Sequence, residues 1–169
     1  MSVEDSQKTW SELASSSLLL KAVASWRVDP QEWLESAFDR LPETVRVNPL
    51  RQDSEWVEQW LKSVGADRIG WFKGPGSAWE MPFARGSAEG EVRELLKSLH
   101  ETGRITRQEV VSMIPVLAMD ISPGETVLDM CASPGSKTTQ IAECLGDRGI
   151  VFANEISNSR ANTLVSNVQ

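Results

Sequence analysis

A short segment near the carboxyl terminus has the residue types best suited to hold a ligand. It reads Cys-Ala-Ser-Pro-Gly-Ser from Cys131 to Ser136, and Lys137 follows it. Small residues let the backbone approach a ligand closely, Gly135 adopts conformations closed to other residues, and Pro134 stiffens the turn. An apolar run, Thr126–Met130, precedes the segment and a helical pattern follows it. We therefore predict a strand-to-helix loop whose backbone N–H groups face a ligand.

Two acidic residues flank this loop at positions where strands are predicted to end. Glu155 follows the second predicted strand, Ile150–Asn154, about twenty residues after Gly135. An acid at that spacing accepts hydrogen bonds from a ribose diol in dinucleotide-type folds, whereas a helix cap or a solvated acid is the simpler structural explanation. Asp129 ends the first strand. It is equally suited to capping the loop amides and to holding an amine of a ligand.

Lys137 is predicted to lie in the first turn of a helix, where the helix dipole disfavours a cation. An anionic partner is therefore expected, either a carboxylate of the ligand or a surface pair with Glu143 or Glu155. The Lys-Thr pair also resembles the end of the phosphate-binding pattern G-x-x-x-x-G-K-[ST]. Ser136 and Cys131 occupy both of its glycine positions, so binding of a nucleoside triphosphate is not expected.

Cysteine and histidine offer few further candidates. The chain has two cysteines and one histidine, which are too few for a disulfide framework or a multi-histidine metal site. No metal site is predicted, and His100 is expected at a solvated helix end. We expect Cys144 to be a buried apolar residue.

The first two-thirds of the chain are predicted to contain several helices and one extended segment. All seven tryptophans lie in the first half. The patterns predict two helices between Trp10 and Leu41, an extended segment over Val45–Asn48, a helix from Asp53 or Ser54 to Gly65, short strands and loops over 70–90, and an apolar helix after Gln108 that bends or restarts at Pro115.

The last third predicts a βαβ unit, because a strand, a helix and a second strand follow one another within about thirty residues. The fold class is therefore α/β. It combines the start of a Rossmann-like parallel sheet with a small preceding α+β domain. The predicted domains are 1–105 and 106–169. The final helix, from Asn158 or Ser159 to Val168, has no stop signal, which favours an incomplete reading frame.

Composition narrows the possible settings and partners. No apolar run reaches the ~18 residues of a membrane span, and the acidic amino terminus does not resemble a secretory signal. We expect a monomeric, cytoplasmic protein. The net charge of −7 argues against nonspecific nucleic-acid affinity, so any RNA contact needs a local patch or further sequence. Arg46 and Arg51 could contact phosphate or lie on a surface strand. Trp56 and Trp60 could stack on bases, although a core role is favoured.

Together these residues resemble the Sun-domain RNA (cytosine-5) methyltransferases, whose cofactor loop reads close to D-x-C-A-A-P-G-G/S-K-T. This chain differs mainly at Ser133, where that pattern has a second alanine. The resemblance extends to three other segments, which are Arg46-Val47-Asn48-Pro49-Leu50, Gln108 to Pro115, and Asn154-Glu155 with Arg160 five residues later.

The resemblance implies that the parallel sheet is the start of a class I methyltransferase sheet. It also implies S-adenosyl-L-methionine as the cofactor and structured RNA, either rRNA or tRNA, as the substrate. It implies that Glu155 binds the cofactor ribose and that Lys137 binds the carboxylate of its methionine moiety. The remaining cofactor contacts would come from the loop, namely Cys131, Ala132, Ser133, Pro134, Gly135 and Ser136. Residues 1–105 would supply an RNA-contacting region.

In that family one cysteine attacks carbon 6 of cytosine and a second cysteine assists product release. The Pro-Cys and Thr-Cys segments that carry them do not occur in this sequence. No catalytic residue is therefore assigned here, and the resemblance implies that Cys131 is a small wall residue of the cofactor loop. We expect an amino-terminal portion of a methyltransferase that is inactive alone. The alternatives are a non-catalytic RNA- or protein-binding short protein, and a methyltransferase with another substrate.

Overall fold

The computed structural model describes residues 17–26, 29–37 and 39–168, which form two compact units divided after Leu41. The first unit contains helices α1 (Leu18–Val23) and α2 (Pro30–Ser36). The Ser17 hydroxyl caps α1 by accepting a hydrogen bond from the Leu20 N–H at 3.1 Å. Helix α2 was predicted to reach Leu41 but ends at Ser36, because the chain must become extended at Pro42, the start of the first strand. The predicted helical residues before Ser17 lie outside the described residues.

The second unit contains an antiparallel sheet, a parallel strand pair and the helices that cover them. Its elements in chain order are β1 (Pro42–Val47), α3 (Ser54–Ser63), β2 (Asp67–Arg68), β3 (Ser77–Ala84), α4 (Gly90–Glu101), β4 (Ile105–Arg107), a 3-10 turn (Val110–Met113), α5 (Ile114–Ala118), β5 (Thr126–Asp129), α6 (Ser136–Leu145), β6 (Ile150–Ala153) and α7 (Asn158–Val168). None of the helices in the described part of the chain is both long and apolar enough to cross a membrane.

The antiparallel sheet has the strand order β2-β3-β1-β4. Successive side chains of a strand point to opposite faces, and in β1 both faces are buried. Val45 and Val47 belong to the larger core, while Thr44 and Arg46 alternate with them. The other members of that core come from helices α3 and α4 and from strands β3 and β4. They are chiefly Val57, Leu61, Trp79, Met81, Leu96, Leu99 and Ile105.

The parallel pair confirms the predicted βαβ unit. Strands β5 and β6 pair in parallel from Thr126 opposite Ile150 to Asp129 opposite Ala153. A separate small core forms where Ile141 and Leu145 of α6 pack with Val127 of β5 and with α5. The apolar helix predicted after Gln108 does restart near Pro115, which lies in the first turn of α5. This placement needs no N–H from the proline, since first-turn N–H groups have no helical partner.

Helix α4 and the eight-residue strand β3 were not predicted as such. The expectation for 70–90 was short strands and loops, and β3 is longer than that because it pairs with β1 on one side and β2 on the other. The domain boundary near residue 105 stays a prediction. Strand β4 ends at Arg107 and completes the antiparallel sheet, which lies in the same compact unit as the βαβ elements.

Candidate cofactor site

The loop between β5 and α6 lies at the carboxyl edge of the parallel pair, where ligands bind in open α/β sheets. Gly135 is the cap residue before α6 and has a φ of +112°, a conformation that L side chains rarely adopt. A Cβ atom there would lie 3.3 Å from Leu164 Cδ1 and 3.4 Å from Asn167 Cβ. Glycine therefore permits both the turn into α6 and the close approach of α7.

Asp129, the last residue of β5, stabilises this loop through its carboxylate. Its carboxylate accepts hydrogen bonds from the Thr138 hydroxyl at 2.7 Å and from the Cys131 N–H at 3.3 Å. The amide capping that the sequence allowed is therefore present. The loop is also fastened to the end of β6, because the Ala132 N–H donates to the Asn154 carbonyl at 2.9 Å and the Asn154 side chain donates to the Met130 carbonyl at 3.0 Å.

Glu155 lies beside the loop, immediately after β6. Its carboxylate accepts a hydrogen bond from the Ser157 N–H at 2.9 Å and lies 3.4 Å from Arg160 Nε. Arg160 also donates to the Ser133 carbonyl at 3.1 Å, and the Ser133 hydroxyl donates to the Arg160 carbonyl at 2.9 Å. Arg160 thus links the acid to the loop. The Glu155 side chain is 4% exposed, whereas that of Arg160 is 60% exposed.

Lys137 extends from the first turn of α6 toward the 3-10 turn. Its ammonium group donates to the Ser112 hydroxyl at 2.7 Å. The surface pairs that the sequence offered as alternatives are not formed in the described structure, since Glu143 pairs with Arg46 and Glu155 with Arg160. Lys137 is exposed and retains donors for an anionic ligand.

A buried polar network behind the loop was not expected from the sequence. Arg46 is fully buried on β1, so it cannot contact phosphate at the surface. It pairs with Glu143 of α6 and donates to the Gln108 side-chain carbonyl at 2.6 Å. It also donates to the Ser136 carbonyl at 3.2 Å and to the Thr139 hydroxyl at 3.1 Å. The guanidinium therefore connects the antiparallel sheet to the helix that begins at the loop.

Burial dominates the electrostatics of this pair. It raises the pKa of Glu143 to about 7, although the positive charge and hydrogen bond of Arg46 act in the opposite direction. Burial also lowers the pKa of Arg46 below its ordinary value, against the influence of Glu143. Each charge loses water on folding and depends on the other for compensation. Removing either partner alone is therefore expected to cost more than removing both.

The two thiols and the imidazole occupy different environments. Cys131 is exposed in the loop, and Cys144 is partly buried on α6. Burial, with a smaller contribution from Glu143, raises the pKa of the Cys144 thiol, which makes it a poor nucleophile. His100 lies in the last turn of α4, with Nδ1 3.3 Å from the Ile105 carbonyl oxygen. Among the described residues no group of three or more acids, cysteines and histidines could hold a metal ion.

Basic side chains lie close to the loop on the side of the antiparallel sheet. A cleft of about 270 Å³ is lined by Arg85, His100 and Arg107 together with Pro134 to Ser136. Arg107 donates to Glu43 through Nε at 2.9 Å and through Nη2 at 2.5 Å. Burial alone would raise the pKa of Glu43, but hydrogen bonds from Arg107 and the Gly86 N–H lower it below its ordinary value. The Glu43 carboxylate therefore compensates the charge of Arg107, and Arg85 supplies a second guanidinium to the cleft.

The two tryptophans of α3, and Arg51 just before that helix, differ in part from what the sequence predicted. Trp60 packs against the large core, as predicted. Trp56 is 50% exposed, so the core prediction is wrong for it. The buried face of α3 is centred on Val57 and Leu61, and Trp56 lies at the rim of that face. Arg51 is exposed, and its guanidinium lies close to Gly103.

Comparison with known proteins identifies relatives of this chain. Residues 116–169 match the family described as 16S rRNA methyltransferase RsmB/F. The tRNA (cytosine(49)-C(5))-methyltransferase of Pyrococcus abyssi is 33% identical over 141 residues, which are 83% of this chain and 43% of that protein. The ribosomal RNA small subunit methyltransferase F of Salmonella paratyphi B is 48% identical over 71 residues, covering 41% of this chain and 15% of that protein.

Solved structures agree with these sequence matches. A methyltransferase homolog protein from Pyrococcus horikoshii superposes with a TM-score of 0.65 at 28% identity, over 85% of this chain and 45% of that one. NSun6 from Pyrococcus horikoshii, solved with the S-adenosylmethionine analogue SFG, has the same fold, with a TM-score of 0.62 at 16% identity over 89% of this chain and 61% of that one. The predicted Rossmann-like fold is confirmed. The chain spans less than half the length of the curated relatives named here.

Proposed function

We propose that this chain, which is similar in sequence and fold to the Sun-domain RNA (cytosine-5) methyltransferases, binds S-adenosylmethionine. It would contribute the cofactor site of an enzyme that forms 5-methylcytosine in rRNA or tRNA. One observation carries the proposal. The loop from Cys131 to Ser136 and the acid Glu155 follow two paired parallel strands, and hydrogen bonds join them at one edge of the sheet. The bound cofactor supplies a methyl group activated by its sulfonium.

The donors and acceptors at this edge fit such a ligand. Carboxylate oxygens accept hydrogen bonds from a ribose diol, and the Glu155 carboxylate is held beside the loop by Ser157 and Arg160. Arg160 is exposed, so its side chain can move to let a ribose hydroxyl reach the acid. Lys137 would bind the carboxylate of the methionine moiety, with Ser112 holding its ammonium near the loop. The glycine at 135 keeps the turn into α6 tight.

Neither cysteine of this chain is proposed as the nucleophile. The thiolate is the reactive form, and burial keeps Cys144 protonated. Cys131 lies in the loop that would form the wall of the cofactor site, and its N–H is fixed by Asp129. Its proposed role is to provide a small side chain next to the ligand. Attack on carbon 6 of cytosine requires a group outside these two.

The cofactor proposal is tested by calorimetric titration of S-adenosylmethionine into the chain and into Glu155→Gln. The amide keeps an oxygen for the Ser157 N–H but loses the charge that attracts two ribose hydroxyls. We expect roughly 10- to 100-fold weaker binding, the range for hydrogen bonds to a charged group. Glu125→Gln is the matched control, since Glu125 accepts a similar local hydrogen bond, from the Ser122 N–H at 3.0 Å, at the opposite end of β5. Equal affinities for wild type and Glu155→Gln would exclude the ribose role.

We further propose that RNA approaches the loop through the basic cleft of Arg85, His100 and Arg107. Phosphate contacts from Lys and Arg dominate nucleic-acid affinity and make it salt-dependent. Because the chain carries a net charge of −7, this cleft is a specific place for such contacts rather than part of a general basic surface. Arg85→Ala should weaken binding of a structured RNA and reduce the slope of log affinity against log salt by about one. Arg68→Ala on β2 serves as the control, and equal loss in both variants would refute the assignment.

A further inference from the structure

Arg46 has no place among the residues proposed to touch cofactor or RNA, yet it is the most extensively bonded side chain behind the loop. We propose that Arg46 is a positioning residue that fixes the first turn of α6, and with it the cofactor loop, against the antiparallel sheet. The proposal rests on the proposed function in one respect only, which is that the positioned loop binds S-adenosylmethionine.

The contacts of Arg46 form two groups, those that hold Arg46 itself in place and those that it makes with α6. Strand β1 is central in its sheet, where Arg46 lies opposite Ala78 of β3 and Thr106 of β4, so its backbone is held on both sides. Nε donates to Gln108, which in turn donates to Gln140 at 3.1 Å and to the Ser112 carbonyl at 3.1 Å. The guanidinium plane is therefore fixed before it meets α6.

The second group of contacts is with the first two turns of α6. Nη2 donates to the Ser136 carbonyl and to the Thr139 hydroxyl, while Nη1 pairs with Glu143 one turn further along. Ser136 directly follows Gly135, the residue at which the loop turns into the helix. One rigid, planar group thus holds two successive turns of the helix. Lysine has the charge but not this fork of donors, so it cannot make the same set of contacts.

Stability alone is a weak reason for this arrangement. Two charges in a dry site lose their hydration, and an apolar pair of similar volume often stabilises a protein equally well. The same sheet contains a useful comparison in Glu43 and Arg107, which join β1 to β4, and not to α6, through a buried carboxylate. Within the described residues, that second pair makes no hydrogen bond or ion pair with α6. The two pairs therefore separate loss of sheet stability from loss of helix positioning.

Hydrogen–deuterium exchange of the ligand-free chain tests the positioning directly, without any ligand. The variants are Arg46→Lys, which keeps the charge, and Thr139→Val, which removes one acceptor on α6 and leaves the core charges paired. At about pH 8, where Glu143 is mostly ionised, we expect peptides covering 131–139 to exchange about tenfold faster in both variants, the effect of losing roughly one hydrogen bond. Glu43→Gln should leave exchange in these peptides unchanged while loosening β1 and β4.

Titration with S-adenosylmethionine provides the second readout. Arg46→Lys and Thr139→Val should each bind about tenfold more weakly than wild type, and Glu43→Gln should bind equally well. If the exchange of 131–139 is the same in Arg46→Lys and wild type, or rises equally in Glu43→Gln, the positioning role is refuted. If wild type does not bind the cofactor, the proposed function fails, while the exchange measurement still decides the role of Arg46.

Discussion

Replacing Gly135 by alanine is expected to lower the free energy of unfolding, and the structure gives two reasons. The φ of +112° lies outside the region that alanine adopts easily, and such strain costs about 1–3 kcal/mol. The new methyl group would also lie 3.3 Å from Leu164 Cδ1, so α7 must shift by a few tenths of an ångström. We expect a total loss of about 2–3 kcal/mol, with strain as the larger part.

Gly146→Ala is the matched control at the other end of α6. Gly146 also has a positive φ, of +64°, but a Cβ atom there meets no other atom within 4 Å. Urea denaturation followed by far-ultraviolet circular dichroism should show a loss for both variants. Binding of S-adenosylmethionine should weaken about tenfold only in Gly135→Ala, because only that residue shapes the loop. Unfolding of Gly135→Ala within about 0.5 kcal/mol of wild type would refute the strain argument.

Two further predictions concern the polar groups around α6. The pKa of Glu143 is raised by burial from 4.5 to about 7, so the folded state holds a proton that the unfolded state releases, and the free energy of unfolding should fall by up to about 3 kcal/mol as pH rises from 4.5 to 7. Urea titrations across that range should show a flatter profile for Glu143→Gln, and an unchanged slope would contradict the assignment. Thr138→Val removes the hydrogen bond to Asp129 and should cost about 1–2 kcal/mol, whereas Thr138→Ser, which keeps the hydroxyl, should cost less.

The βαβ unit could be predicted from sequence because its signals are local. Thr126–Asp129 is an apolar run bounded by a Pro-Gly turn, the loop is rich in small residues, and α6 has an apolar face that ends at Gly146. Each of these features depends on residues within a few positions of one another. The helix restart at Pro115 could be predicted for the same reason, since a proline disrupts the helical turn that precedes it.

The missed elements depended on weaker or distant signals. Helix α4 has many charged residues, but Val92, Leu95, Leu96 and Leu99 recur at helical spacing, and that periodicity could have identified it. Arg46 could not be assigned in the same way. Thr44 and Arg46 alternate with Val45 and Val47, which indicates a strand with two different faces. The ion-pair partner of Arg46 lies 97 residues away, so nothing in the neighbouring sequence shows that the polar face of this strand is buried.

The three acids around α6 illustrate how surroundings divide chemically similar side chains among different roles. Glu143 is buried against Arg46, so a ligand cannot reach it, and its carboxylate serves the packing of α6. Asp129 is occupied by the Thr138 hydroxyl and the Cys131 N–H, which makes it the support of the loop. Glu155 differs because one of its partners is the exposed side chain of Arg160, which can move without disturbing a core. Movement of that side chain removes one hydrogen bond to the Ser133 carbonyl, but the bond from the Ser133 hydroxyl to the Arg160 backbone carbonyl remains. Of these three, Glu155 is therefore the acid that can exchange a protein contact for a ribose hydroxyl at the smallest cost to the loop and α6.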